Sequence, residues 1–178
     1  MVGIFLANGF EEIEAVSTID ILRRGDVEVL LIGVDGKIAK GANGIEILCE
    51  KQLDEVDFGF LEMLILPGGL DGTKTLCKNA KVQEVLKSFA SSNKKLAAIC
   101  AAPLALDKAG VLKGKFTCYV GMQDEFSNQA YTGENVTKSK NIITSKGPAT
   151  ASEFGFALLE DLKGERKALE IKQGMLFP

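Results

Sequence analysis

Short apolar runs alternate along the chain with segments of helical periodicity. Runs of this length, dominated by Val, Ile, Leu, Met and Ala, are typical of strands buried on both faces of a sheet. They cover residues 2–7, 27–34, 61–66 and 95–100. Residues 115–120 and 141–145 are shorter runs that we also expect to form strands. Turn signals at 35–36 and 43–44 predict a small hairpin between the second and third of the long runs.

The segments between the runs have the spacing of amphipathic helices. Val82, Val85, Leu86 and Phe89 recur at i, i+3, i+4 and i+7, so they should form the buried face of one helix. An earlier helix should bury Val16, Ile19 and Leu22 on one stripe and stop at Gly25. Two more helices are expected near the C-terminus, over residues 150–164 and 165–174.

This alternation of strands and helices predicts the fold class. It indicates an α/β protein with a mostly parallel central sheet and helices on both faces. No linker, repeat or low-complexity segment interrupts the pattern, so residues 1–178 are predicted to form a single domain.

Composition and charge exclude several classes of function. The 178 residues include 21 Lys and Arg against 24 Asp and Glu, a formal net charge of −3, and no basic stripe suited to nucleic acid is present. No stretch approaches the ~18–20 apolar residues that span a bilayer, and no basic leader precedes the first strand. We therefore expect a cytoplasmic protein that binds neither membranes nor nucleic acid.

The four cysteines do not form a metal or disulfide pattern. Cys49, Cys77, Cys100 and Cys118 are widely spaced, and the chain contains no histidine. A zinc site is therefore not expected, and a disulfide framework is disfavoured in a reducing compartment. Because histidine is the usual general base, its absence also constrains every catalytic mechanism considered below. Cys49, on the expected hairpin, is predicted to be exposed to adventitious oxidation.

Cys100 has the sequence context of a nucleophile. It lies at a strand-to-helix turn, with the small residues Ala98 and Ala102 two positions before and after it, as a sharp nucleophile elbow requires. Pro103 suits the first turn of the following helix. A thiol at a helix N-terminus is expected to have a lowered pKa. A buried structural cysteine fits the composition equally well.

Two other strand ends carry candidate partners for Cys100, because sites of open α/β sheets lie beyond the carboxyl ends of the strands. Gly68 and Gly69 could expose backbone N–H groups to an oxyanion, with the N–H of Ala101 as a further donor, although a simple turn explains the glycines as well. Glu11 and Glu12 are interpreted as structural residues of a first helical turn. Glu14 could point over the strand end as a desolvated carboxyl with a raised pKa, but the sequence alone leaves this undecided.

Four motifs at concordant spacing resemble one family over essentially the whole chain. GFEEIEAV, LILPGG, AAICAAP and ITSKGPATASEF are similar to segments of the ThiJ/PfpI superfamily, in particular the branch of the Parkinson's-disease-associated protein deglycase and bacterial YajL. The resemblance implies a flavodoxin-like three-layer sandwich, a homodimer and no metal or other cofactor.

The resemblance also implies roles for individual residues. Cys100 would be the reactive, readily oxidised cysteine, and Glu14 a protonated partner hydrogen-bonded to it. Gly68, Gly69 and Ala101 would line the pocket. Gly147 and Pro148 would close one side of it.

Two positions depart from the family pattern. Protease-like members have histidine directly after the cysteine, where this chain has Ala101, so a Cys–His peptidase or amidase is disfavoured. Several glyoxalase-active members have another histidine where this chain has Tyr119. A phenol with a pKa near ~10 is a poor base at neutral pH but an adequate hydrogen-bond donor.

Two functions from different classes remain. The first is a cofactor-independent glyoxalase or deglycase that acts on 2-oxoaldehydes such as methylglyoxal and glyoxal, or on their protein adducts, and yields a 2-hydroxy acid. The second is a cysteine-based sensor of oxidative stress or a redox-regulated chaperone without turnover. The same thiol serves both, so the sequence does not separate them.

Overall fold

The computed structural model describes residues 1–178, and its centre is a seven-stranded, mostly parallel sheet. The strand order is β5-β2-β1-β6-β7-β9-β8, and only the edge strand β8 runs antiparallel to its neighbour. The strands are β1 (Val2–Leu6), β2 (Val29–Gly33), β5 (Lys51–Gln52), β6 (Met63–Leu66), β7 (Lys95–Ile99), β8 (Val136–Ser139) and β9 (Ile142–Ser145). A separate antiparallel hairpin consists of β3 (Ile38–Lys40) and β4 (Glu46–Leu48). The predicted α/β class with a mostly parallel sheet is confirmed.

Helices cover both faces of this sheet and divide the core into two clusters. The helices are α1 (Glu12–Arg24), α2 (Leu70–Lys78), α3 (Ala80–Ser91), α4 (Pro103–Lys108), α5 (Ala151–Lys163) and α6 (Glu165–Gly174). On one face α1 packs against α5, and α5 against α6. On the other face α2, α3 and α4 pack together, and the predicted stripe from Val82 to Phe89 is buried there. None of the helices is both long and apolar enough to cross a membrane.

The buried stripe of α1 differs from the predicted one at a single position. Ile19 and Leu22 are buried as expected, whereas Val16 is largely exposed and Ala15 takes its place against the core. Ala15, Ile19 and Leu22 are spaced i, i+4, i+7, and residues with this spacing lie on one side of a helix, as residues with the predicted spacing also do. The prediction for Val16 was therefore wrong.

Residues 115–120 do not form the predicted strand. Phe116 makes one isolated bridge with Tyr131, and the N–H of Thr117 donates to the Thr144 hydroxyl at 2.9 Å. Phe116, Thr117 and Cys118 are all completely buried. The segment is apolar because it is buried. It is not a strand, because the Thr144 side chain accepts a hydrogen bond from Thr117 where a neighbouring strand would supply a backbone acceptor.

The hairpin itself is largely exposed, as expected, but Cys49 at its end is not. The Cys49 side chain is 1% exposed and belongs to the same core cluster as α1 and α5. The prediction of an exposed, easily oxidised Cys49 is therefore wrong. Two backbone hydrogen bonds join the hairpin to the end of β1: Gly9 N donates to Lys40 O at 2.7 Å, and Ala42 N donates to Phe10 O at 2.8 Å.

Topology brings the candidate site together. β1, β6, β7 and β9 are consecutive parallel neighbours, so their carboxyl ends meet at one edge of the sheet. The segments that follow these ends carry Glu14, Gly68 with Gly69, Cys100, and Gly147 with Pro148. The site described below occupies this edge, as expected for an open parallel sheet.

Candidate active site

Cys100 lies in a strained turn between β7 and α4. Its φ of 65° is in the left-handed region, which is uncommon for a residue with a side chain. The turn is held by two backbone bonds, from Cys100 N to Ser145 O at 2.9 Å and from Tyr119 N to Cys100 O at 2.8 Å. Ala98 and Ala102 are completely buried, so the small residues on either side belong to the packing of the elbow. The geometry is that of a nucleophile elbow.

Glu14 lies beneath the sulfur with no exposed surface. Its Oε2 accepts a hydrogen bond of 2.7 Å from Gly68 N, whereas its Oε1 is buried without any partner. A Cβ placed on Gly68 would come within 2.5 Å of Cys100 Cβ and 2.7 Å of Glu14 Oε2. Position 68 therefore must be glycine for the thiol and the carboxyl to approach each other.

Burial raises the pKa of Glu14 to about 7. Desolvation of the carboxylate is the main cause, and the hydrogen bond from Gly68 and the neighbouring Cys100 thiol oppose it only in part. A carboxyl with this pKa exchanges its proton near neutral pH, which is the property of an effective acid–base group. This is the raised pKa that the sequence left undecided.

The pKa of Cys100 is raised to about 12, not lowered as the sequence suggested. Burial is the first cause, and the charge and hydrogen bonding of Glu14 add to it. The N–H groups of Gly69 and Ala101 act in the opposite direction but are outweighed. The six-residue α4 offers only a short dipole. Because a charged Glu14 disfavours the thiolate, Cys100 forms the thiolate most readily when its proton passes to Glu14.

The two N–H groups that face the sulfur are those of Gly69 and Ala101. The N–H of Gly68 is not free for an oxyanion, because Glu14 accepts it; the prediction of an oxyanion donor at Gly68 is corrected on this point. Gly69 has a φ of 89°, and a Cβ there would lie 2.1 Å from Gly9 O, so the backbone can turn its N–H toward Cys100 only as glycine. Two converging N–H donors can stabilise a developing oxyanion.

Cys100 opens into a pocket of about 440 Å³. Its walls include Gly69, Ala101, Tyr119 and Pro148, and the cysteine itself is 9% exposed. Gly147 lies just outside this wall, and a Cβ there would be 3.3 Å from the Tyr119 ring and 3.9 Å from Glu14 Oε1. The structure thus brings together the residues that the sequence singled out, but Glu14 and Gly68 adjoin Cys100 without lining the pocket, and Gly147 lies at its margin.

Glu12 is a functional candidate that sequence reasoning treated as a simple helix-end charge. It is 4% exposed, and its carboxylate accepts hydrogen bonds from Asn43 N at 2.6 Å, Asn43 Nδ2 at 3.0 Å and Ile45 N at 3.4 Å. Burial would raise the pKa of Glu12, but these hydrogen bonds outweigh it and lower the pKa. The bonded loop carries Ala42 into the wall of the Cys100 pocket. The two partners are separated by 31 residues in the sequence, so no local pattern predicts this contact.

The other cysteines lack this environment. Cys49 and Cys118 are buried, Cys77 is half-buried, and burial raises the pKa of all three thiols, with Cys118 at about 11. None of the three lines the pocket. What distinguishes Cys100 is its position in the pocket, its two N–H donors and its carboxyl partner.

A model of the DJ-1/PfpI family matches residues 1–161. The chain belongs to the DJ-1/PfpI family. It is 37% identical over 177 residues to the Drosophila melanogaster protein dj-1beta, an alignment that covers 97% of this chain and 95% of the relative. The crystal structure of that relative superposes with a TM-score of 0.95 and covers 99% of this chain and 97% of the other.

Two further family members bear on chemistry. The Caenorhabditis elegans protein named glutathione-independent glyoxalase DJR-1.2 is 35% identical over 159 residues, which cover 88% of this chain and 85% of the relative. The structure of oxidized Toxoplasma gondii DJ-1 is 34% identical, has a TM-score of 0.94 and covers 99% of this chain and 97% of the other. The family thus includes a protein named for glyoxalase activity.

Proposed function

We propose that this chain is a cofactor-independent glyoxalase or deglycase that converts 2-oxoaldehydes, or their adducts, to 2-hydroxy acids through Cys100. The observation that carries the proposal is the pair formed by Cys100 and Glu14, a thiol and a neutral-range carboxyl that meet over Gly68. The glyoxalase-named family member at 35% identity supports the same reaction class.

The reaction begins when Cys100 passes its proton to Glu14, which leaves a thiolate beside a neutral carboxyl. The sulfur attacks the aldehyde carbon of methylglyoxal, and the new oxyanion is held by the N–H groups of Gly69 and Ala101. Glu14 gives its proton to this oxyanion, so the product of the step is a neutral hemithioacetal and a carboxylate.

Glu14 then moves a proton between adjacent carbons. As a carboxylate it removes the proton on the carbon bonded to sulfur, and it returns that proton to the neighbouring former ketone carbon, while the hydroxyl proton passes from the first oxygen to the second. The aldehyde carbon is oxidised to a thioester while the ketone carbon is reduced to an alcohol, so no external oxidant is needed. Water hydrolyses the thioester, releases lactate and restores the thiol. Tyr119 lines the pocket, and its phenol can donate a hydrogen bond to the substrate.

Proton NMR of methylglyoxal with the wild-type protein and with Cys100→Ser tests this proposal. We expect many equivalents of lactate per Cys100 in the wild type and none in the variant, which changes one atom of the side chain. Lactate formation that persists in Cys100→Ser would refute the assignment of the nucleophile. An adduct of the aldehyde with a peptide amine, incubated with a separate scavenger of free aldehyde, distinguishes deglycation from removal of the free compound.

A redox sensor or redox-regulated chaperone is the second candidate function. The structure of an oxidized Toxoplasma gondii relative favours it, together with the opening of Cys100 into a pocket. A sensor is consumed once per site, so absence of lactate combined with rapid oxidation of Cys100 by peroxide would select this function.

We also propose that the chain assembles as a homodimer through an apolar patch on α1 and the hairpin. Ile13, Val16, Ile45 and Leu48 are large apolar side chains that are roughly half exposed or more. Glu12 bonds to Asn43 and Ile45, so the start of α1 and the hairpin turn are adjacent. An apolar patch of this kind is typical of an interaction surface. Sedimentation equilibrium should give twice the chain mass, and Val16→Glu should shift it toward the monomer.

A further inference from the structure

A second cavity adjoins the Cys100 pocket. It has a volume of about 510 Å³, and Tyr119 and Pro148 belong to the walls of both cavities. Tyr119 is 51% exposed and stands at the boundary between them. Together the cavities form a two-chamber site with the nucleophile in the first chamber only.

The two chambers are too large for a three-carbon aldehyde alone. Each volume falls within the ~300–1,000 Å³ of pockets that enclose drug-sized ligands. Gly147 lines the second cavity beside Tyr119, and a Cβ at this position would come within 3.3 Å of the Tyr119 ring. A substrate that fills the site should therefore extend from Cys100 past Tyr119.

The chambers also differ in charge. Glu11 lines the first together with Asp71, whose charge is offset by Lys74 at 2.8 Å, whereas Lys146 is the single charged side chain that lines the second. Lys146 is half-buried and has no carboxylate within salt-bridge distance; its Nζ lies 3.4 Å from Asn135 Oδ1. The amide nitrogen of Asn135 donates to Glu153 at 3.1 Å, which turns the amide oxygen toward the lysine. The ammonium is thus positioned by a neutral oxygen and retains its capacity to pair with an anion.

We propose that the second chamber binds a carboxylate on the substrate, through Lys146, while the 2-oxoaldehyde end reaches Cys100. The proposal deepens the glyoxalase or deglycase function above and rests on it. The acidic first chamber repels the carboxylate and the basic second chamber attracts it, so the charge difference orients the substrate. Substrates of this class are 2-oxoaldehydes, or their adducts with amino acids or peptides, that bear a free carboxylate at the far end.

A matched pair of substrates tests the proposal. Para-carboxyphenylglyoxal carries the carboxylate, and para-carbamoylphenylglyoxal is its neutral counterpart of nearly equal shape. We expect the wild type to favour the carboxylate by about fivefold in kcat/KM, in keeping with a partly screened charged pair. This ratio should fall to about one or below in Lys146→Met, through KM, and should be retained in Lys146→Arg. Lys81→Met removes an exposed lysine of α3, remote from both cavities, and should leave the ratio unchanged.

A binding measurement separates failure of this proposal from failure of the proposed function. The two products, para-carboxymandelate and para-carbamoylmandelate, are tested for protection of Cys100 against iodoacetamide, which requires no turnover. Stronger protection by the carboxylate in the wild type, lost in Lys146→Met, would support the second chamber even if neither aldehyde is consumed. Equal protection by both compounds, or a preference that survives in Lys146→Met, would overturn it.

Discussion

Glu12 and Glu14 lie two residues apart in the first turn of α1, and both are buried, yet their pKa values shift in opposite directions. Glu12 faces the hairpin loop and accepts three hydrogen bonds, which outweigh burial and keep it ionised. Glu14 faces Cys100, accepts one bond from Gly68, and leaves Oε1 without a partner. Deeper burial and fewer donors together favour the neutral form of Glu14, whereas Glu12 lies at a shallower depth and accepts more hydrogen bonds, so it stays charged. One helix turn thereby combines a structural anion with an acid–base group.

The largest expected difference between the two is in turnover. Glu14→Gln should lower kcat for methylglyoxal by about 100-fold, because an amide cannot carry the proton between carbons. Glu12→Gln should lower it by less than about threefold, since Glu12 acts only through the loop that bears Ala42. Lactate formation followed by proton NMR checks both variants, with Glu11→Gln as a pocket-lining control. Equal losses of kcat in all three variants would show that Glu14 has only a structural role.

Stability should respond to pH in opposite senses at the two positions. A folded-state pKa of about 7 for Glu14 means that folding favours the protonated carboxyl. The contribution of Glu14 to the free energy of unfolding is therefore complete below pH ~4.5 and is lost as the pH rises through 7. Relative to the wild type, Glu14→Gln should gain roughly 3 kcal/mol between pH 4.5 and 8. Urea unfolding of both proteins across this range measures the difference.

Glu12→Gln should show the reverse sign. The lowered pKa of Glu12 contributes stability above the unfolded-state pKa, and that contribution disappears as the pH falls. Glu12 is covered by a single loop, so screening limits the loss to roughly 1–2 kcal/mol at neutral pH. A difference from the wild type that does not change with pH would show that folding leaves the pKa of Glu12 unchanged.

The smallest expected effect is on thiol reactivity. Above pH 7 the charged Glu14 holds back ionisation of Cys100, so Glu14→Gln should react with iodoacetamide about threefold faster there and at a similar rate at pH 6. Glu12→Gln should match the wild type throughout. Peptide mapping must place the label on Cys100; faster labelling of Cys49, Cys77 or Cys118 would contradict its assignment as the reactive thiol.

The sequence predicted the parts of this molecule that depend on local pattern. Continuous apolar runs predicted the central strands, and the two alanines around Cys100 predicted its elbow. The site depends instead on contacts between residues that are far apart in the sequence. Gly68 bonds to Glu14 across a separation of 54 residues, and Asn43 bonds to Glu12 across a separation of 31. The sign of the Cys100 pKa shift was mispredicted for the same reason: a nearby helix start is visible in the sequence, whereas the burial of the thiol and the carboxyl that tertiary folding brings beside it are not. The misplaced strand at 115–120 shows that burial alone does not determine hydrogen-bond pattern.

The left-handed backbone of Cys100 lowers the stability of the fold at the same position that supplies the reactive thiol. A non-glycine residue in this conformation costs on the order of 1 kcal/mol or more, which glycine would largely avoid. Selection for thermal resistance alone would therefore favour replacing the one thiol that opens into the pocket. A cysteine at this position lowers the folding stability of the protein. Laboratory evolution for heat tolerance, without selection for activity, should therefore replace Cys100 early.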